Sequence, residues 1–192
     1  MSEPRSHHSS PLKANLVPQE WRAIISPWTP DRELAMVLML RASILWSYSH
    51  IERRLMEFAI LCSSTPEYSD VSERAPFRRI ARIAYLRKVL ERDGPLQKVS
   101  SLGAAILDRY EQSAEIRNRM AHADIDMVAP EFTRFIEIAM DGQDITERWF
   151  NYYPGDLERQ AVKAARFSKA VQRLHYRVLQ AKEVDLASTS RE

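Results

Sequence analysis

From Asp31 to Cys62 the chain repeats apolar residues at helical spacing for about eight turns, with Val37, Leu40, Ile44, Ile51, Leu55 and Phe58 on one stripe. A stripe of that length cannot be satisfied by a small sheet. It calls for other helices along its side, and so sets the fold class as all-α. Ser47 is a small residue in the seam, where a second helix can approach closely. Thr29 as N-cap, Pro30 at the first helical position, and Asp31 and Glu33 in the first turn mark the start. The serines and Pro66 of "CSSTPEYSD" mark the end.

The same stretch is the one membrane candidate. Arg41 sits in its middle, and a central arginine costs about 2.5–3.5 kcal/mol on insertion scales. No uninterrupted apolar run reaches the roughly 18 residues a span needs. The expectation is a buried core helix, with no membrane partner.

Two further helices follow. The first starts at Pro76, carries Ile80, Ile83, Leu86 and Leu90 as its stripe, and stops at Gly94. The second runs from Pro95 through Val99, Leu102, Ile106, Tyr110 and Ile116 to Met120. The pattern then switches to alternation. Phe135, Glu137 and Ala139 oppose Arg134, Ile136 and Ile138, and Asp141-Gly142 is a turn signal, which predicts a β-hairpin over about 132–153. A last helix is expected over 156–182, burying Leu157, Val162, Phe167, Val171, Leu174 and Val178. The economical arrangement is an antiparallel four-helix up-and-down bundle with the hairpin inserted between helices 3 and 4. Residues 1–20 read as a flexible tail, 21–182 as one helical domain and 183–192 as a frayed end.

Composition narrows the function classes. A net charge of +2 gives no global nucleic-acid signature, so any anion-binding surface must come from local clustering. Cys62 is the sole cysteine, which excludes an intrachain disulfide and a cysteine-rich zinc site and fits a reducing, cytoplasmic setting. "MSEPRSHHSSPLKANLVP" lacks the apolar core of a signal peptide. His7 and His8 fall in that tail. His50 and His175 have no metal-ligand partner three or four residues on, so no metal or cofactor is expected. The tryptophans read as packing anchors.

The third helix closes on "EIRNRMAHAD", residues 115–124. On an unbroken helix Arg117 and His122 stand about 140° apart, whereas Asn118 and His122 share a face. Cooperation between Arg117 and His122 therefore requires the helix to end or bend near Ala121.

Arg117-Asn118-Arg119-Met120-Ala121-His122 resembles the Arg-x4–6-His signature of the HEPN superfamily, including the polar residue after the arginine. "YSHIERRLMEFAI" is similar to the glutamate-containing first helix of many such proteins, and the layout over about 30–182 agrees. The resemblance implies a metal-independent RNA endonuclease of toxin or defence type, with a composite active site across a homodimer. His122 would be the proton shuttle, Arg117 the cation on the phosphorane, and Asn118 the positioner. Cleavage by the RNA's own 2′-hydroxyl would make the enzyme RNA-selective. Members controlled by nucleotidylation of a tyrosine carry it two positions after the histidine. Asp124 stands there in this chain, which argues against antitoxin control by that route and puts a carboxylate beside His122.

Glu52 has two readings, a support for Arg117 or His122, or an ion pair to a neighbouring helix through Arg41. Arg119 adjoins the motif as a phosphate contact. Arg74, Arg78, Arg79, Arg82, Arg87, Lys88 and Arg92 crowd the second helix, where a strip including Arg78 and Arg82 could track an RNA backbone or simply be a solvated face. The alternative to an enzyme is a non-catalytic HEPN-like module binding nucleotide, RNA or a partner protein. A plain helical scaffold dimer is the third reading.

Overall fold

The computed structural model describes residues 32–72, 74–141 and 144–189. The cap residues Thr29 to Asp31, the N-terminal tail and the turn residues Gly142-Gln143 lie outside them. Among the described residues the chain is mostly helical, with five α-helices and one small antiparallel sheet. In chain order these are α1 (Arg32–Ser63), α2 (Arg79–Leu90), α3 (Ser100–Gln112), α4 (Ala114–His122), β1 (Asp124–Val128), β2 (Thr133–Asp141), β3 (Asp144–Tyr152) and α5 (Asp156–Thr189). Short 3-10 turns at Pro66–Tyr68 and Gln97–Val99 link α1 to α2 and α2 to α3.

The expected elements are recognisable, with three differences. The third helix is two, α3 and α4, separated at Ser113. The hairpin is part of a three-stranded sheet, because β1 pairs with β2. The last helix continues to Thr189 rather than ending near 182. By length and composition α1 could cross a membrane. Its stripe of Val37, Leu40, Ile44, Ile51, Leu55 and Phe58 is nonetheless buried within the protein.

The described chain forms two units, each compact in itself. One takes α1 as far as Leu45, Arg117–His122 of α4, the sheet and α5 as far as Lys163. Strand order is β1-β2-β3, with Phe135 opposite Phe150 and Ile136 opposite Trp149. Alternation divides the faces. Thr133, Phe135 and Tyr152 are buried on one, while Arg134, Ile138, Trp149 and Glu147 lie on the other. A bulge between Ile125 and Met127 interrupts the β1 register.

The other unit takes Trp46–Ser63 of α1, α2, α3 and α5 from Ala164. Its core includes Ile51, Leu55, Phe58, Leu86, Val89, Leu107 and Leu174. Polar ties join its helices. Arg87 of α2 binds Asp108 and Glu111 of α3 at 2.6 and 2.5 Å, and the Arg109 guanidinium lies over the Phe167 ring of α5.

Candidate functional site

The residues Arg117 to His122 form the C-terminal part of α4. The break that frees this short helix from α3 comes upstream. Ser113 takes φ −85° and ψ 0°, its N–H donates to Arg109 O at 3.1 Å, and its hydroxyl donates to Tyr110 O at 2.8 Å. A serine hydroxyl on the preceding turn's carbonyl competes with helix continuation. The end or bend expected near Ala121 comes as an end one residue on, at His122, with no bend before it. Helical geometry runs through Ala121 to His122, and the Ala123 N–H still donates to Arg119 O at 2.9 Å.

The consequence is a different clustering of the motif. Asn118 and His122 are both exposed, one turn apart on a common face. The Arg117 guanidinium is half-buried and donates to Asn118 Oδ1 at 3.1 Å. Side-chain reach thus brings the cation to the Asn118 side, where the backbone by itself would leave it far round the helix. Asp124 opens β1 and is exposed.

What holds this helix end is a residue that sequence reasoning assigned to another task. Arg41 of α1 donates from Nε to Met120 O at 2.7 Å and from Nη2 to Ala121 O at 3.5 Å. The last carbonyls of a helix lack intrahelical partners and carry its negative end, so a guanidinium there satisfies both needs. Arg41 is therefore the clamp on the end of α4 rather than the partner of Glu52. Its one legible signal was a charge in the middle of an apolar run.

Arg119 differs from its expected role as well. Its guanidinium lies 3.5 Å over the Phe150 ring and donates to Tyr152 Oη at 3.0 Å, which fastens α4 to the sheet. Glu52 accepts from Arg82 Nη2 and from Tyr110 Oη, an ion pair to a neighbouring helix made through α2. The same carboxylate and burial push the Tyr110 hydroxyl well above its ordinary range, burial being the larger cause.

The basic strip of α2 splits into different kinds of arginine. Arg82 is 5% exposed, with Nη1 donating to Phe77 O at 2.9 Å, so it belongs to the interior and not to an RNA-facing strip. The reason is helical phase. Arg82, Ile83, Tyr85, Leu86, Val89 and Leu90 turn inward, while Ile80, expected in the stripe, is 77% exposed. Arg78 is exposed at the N-cap of α2.

Of the remaining histidines, His50 lies against Trp46 with ring centroids 4.2 Å apart. His175 is buried on α5, its Nε2 3.4 Å from Glu57 Oε2. Among the described residues no group of three or more His, Cys, Asp or Glu side chains could hold a metal ion.

These features define a mostly helical protein whose Arg-Asn-His cluster sits at the clamped end of a short helix. No protein-family model, curated protein or solved structure matches the chain.

Proposed function

We propose that this chain is a metal-independent RNA endonuclease of the HEPN type, a toxin or defence effector of the cytoplasm. The observation that carries the reading is the linked cluster itself. His122 and Asn118 are exposed one turn apart, and Arg117 reaches Asn118 with its guanidinium. His122 would take the proton of the ribose 2′-hydroxyl as that oxygen attacks the adjacent phosphorus. It would return a proton to the departing 5′-oxygen, giving a 2′,3′-cyclic phosphate and a free 5′-hydroxyl. Arg117 would stabilise the charge on the phosphorane, and Asn118 would hold the phosphate or the imidazole in line.

Because α4 is unbroken through Ala121, the site is proposed as composite, with Arg117 from one protomer facing His122 from a second in a homodimer. The four helical segments of the second unit are proposed as the up-and-down bundle of that fold. An antitoxin protein is a further proposed partner.

The test is incubation of wild-type, Arg117→Ala, Asn118→Ala and His122→Ala proteins with single-stranded RNA and a chelator. Wild-type cleavage with cyclic-phosphate ends, falling about 10²–10⁴-fold in His122→Ala, is the expected result. The same unbroken helix favours a second reading, a non-catalytic HEPN-like module that binds nucleotide, RNA or protein. Equal inactivity of all four proteins on varied RNAs would select it.

A further inference from the structure

Phe77 is 86% exposed, the most exposed large apolar side chain among the described residues. Ile80, three residues on, is 77% exposed, and two large apolar side chains left in water forgo burial that a ligand covering them would supply. The Phe77 backbone is not loose. Phe77 O accepts from the buried Arg82, whose other nitrogen is held by Glu52, so the ring projects from an anchored segment.

Close to Phe77 in the chain are two cations of a different kind from those further along. Arg82, Arg87 and Arg92 are neutralised by Glu52, by Asp108 with Glu111, and by Asp70. Arg74 and Arg78 are exposed and have no ion pair among the described residues, whereas Arg79 is half-buried and its charge acts on the Tyr110 hydroxyl that donates to Glu52. A solvent-facing aromatic ring flanked in sequence by two exposed arginines with no ion pair among the described residues suits a polyanion that carries flat rings. The exposed sheet face with Trp149 suits one less well, since the Arg134 guanidinium already lies 4.7 Å over the Trp149 ring and the indole N–H donates to Glu147.

We propose that the segment from Arg74 to Ile80 is a binding site for single-stranded RNA. A base stacks on Phe77, and Arg74 and Arg78 contact flanking phosphates. The inference deepens the endonuclease reading and rests on it for the choice of RNA as ligand, not for the chemistry of cleavage.

The experiment measures fluorescence anisotropy of a labelled 2′-O-methyl oligoadenylate of about 12 nucleotides, which the full chain can bind but cannot cleave by 2′-hydroxyl attack. Phe77→Ala and Phe77→Leu are expected to weaken binding about 5- to 100-fold, and Phe77→Trp to keep it. Arg74→Ala and Arg78→Ala should each lower the slope of log affinity on log salt by about 0.7. Thermal melts unchanged from wild type confirm that these exposed substitutions leave the fold intact.

Wild-type affinity in Phe77→Leu, an unchanged salt slope, or equal affinity for a duplex would overturn the proposal. So would patch variants that alter self-association in sedimentation and leave RNA binding alone, which would make this face a protein interface. The two readings fail separately. Wild-type binding in the patch variants with retained cleavage of natural RNA sinks only the assignment of this patch, and patch-dependent binding with no cleavage sinks only the enzyme.

Discussion

At His175 burial and charge act on a single imidazole. Burial lowers its proton affinity first, the nearby Arg54 lowers it further, and Glu57 opposes both. Nδ1 is buried with no hydrogen-bond partner among the described residues, so protonation would create an interior donor lacking an acceptor. The unfolded imidazole titrates near 6.5 and the folded one below it, so the unfolded chain takes up the proton first. The stability this residue contributes is full above about pH 6.5 and is lost as pH falls toward the folded value. Urea midpoints at pH 7.5 and 5.5 are expected to separate more for wild type than for His175→Gln, and equal separations would assign the loss elsewhere. Arg41 supplies a second residue-scale prediction. Arg41→Ala should cost about 1–3 kcal/mol in denaturant unfolding and speed amide exchange at Ala123, since Met120 O and Ala121 O lose their donor. Neither role was legible in the sequence. A buried histidine and a surface one have the same neighbours in a list of residues, and Arg41 answers to carbonyls 79 and 80 positions away.

Between elements, packing tolerances become visible. Gly103 on α3 faces Leu90 of α2 so closely that an added Cβ would meet Leu90 Cδ1 at 2.7 Å and Cδ2 at 2.8 Å. Gly103→Ala gains helix propensity of about 1 kcal/mol and must displace a buried leucine, an overpacking cost of about 1–3 kcal/mol. Net destabilisation is expected, read as a lower urea midpoint, and Leu90→Val in the same chain should recover part of it. The long helices and the alternation of β2 and β3 were readable because their apolar periods persist over many residues. Two boundaries were not. Ser113 ends α3 without glycine or proline, through a hydroxyl–carbonyl bond that a period cannot reveal. β1 is five residues long with a bulge inside it, so its alternation is broken before it can register. The α2 stripe holds at Ile83, Leu86 and Leu90 and departs at Ile80, which is exposed where Arg82 is buried. A buried arginine at position 82 scores as polar in the sequence, although Glu52 makes its burial tolerable.

At the scale of the whole molecule, the unbroken α4 turns a question about one helix into one about two chains. Arg117 and His122 lie about 140° apart by helix geometry, and the guanidinium donates to Asn118 Oδ1. A site built from both residues of one chain would need α4 to distort. A site built from Arg117 of one protomer and His122 of the other would not. Mixing two inactive variants separates these cases. When Arg117→Ala and His122→Ala proteins exchange subunits freely, half the dimers are mixed. In a composite arrangement each mixed dimer holds one complete site and one site lacking both groups, so activity should return to about a quarter of wild type. In the single-chain arrangement every site lacks one group and mixing restores nothing. The readout is cleavage of single-stranded RNA before and after subunit exchange, with Asn118→Ala mixed with His122→Ala run alongside to place Asn118. If Asn118 serves the Arg117 half-site, as its hydrogen bond to that guanidinium suggests, this second mixture also recovers activity. If it serves the histidine of its own helix face, the second mixture stays inactive while the first recovers. The pair of mixtures thus assigns each polar residue of α4 to a protomer, which its position along a continuous helix leaves open.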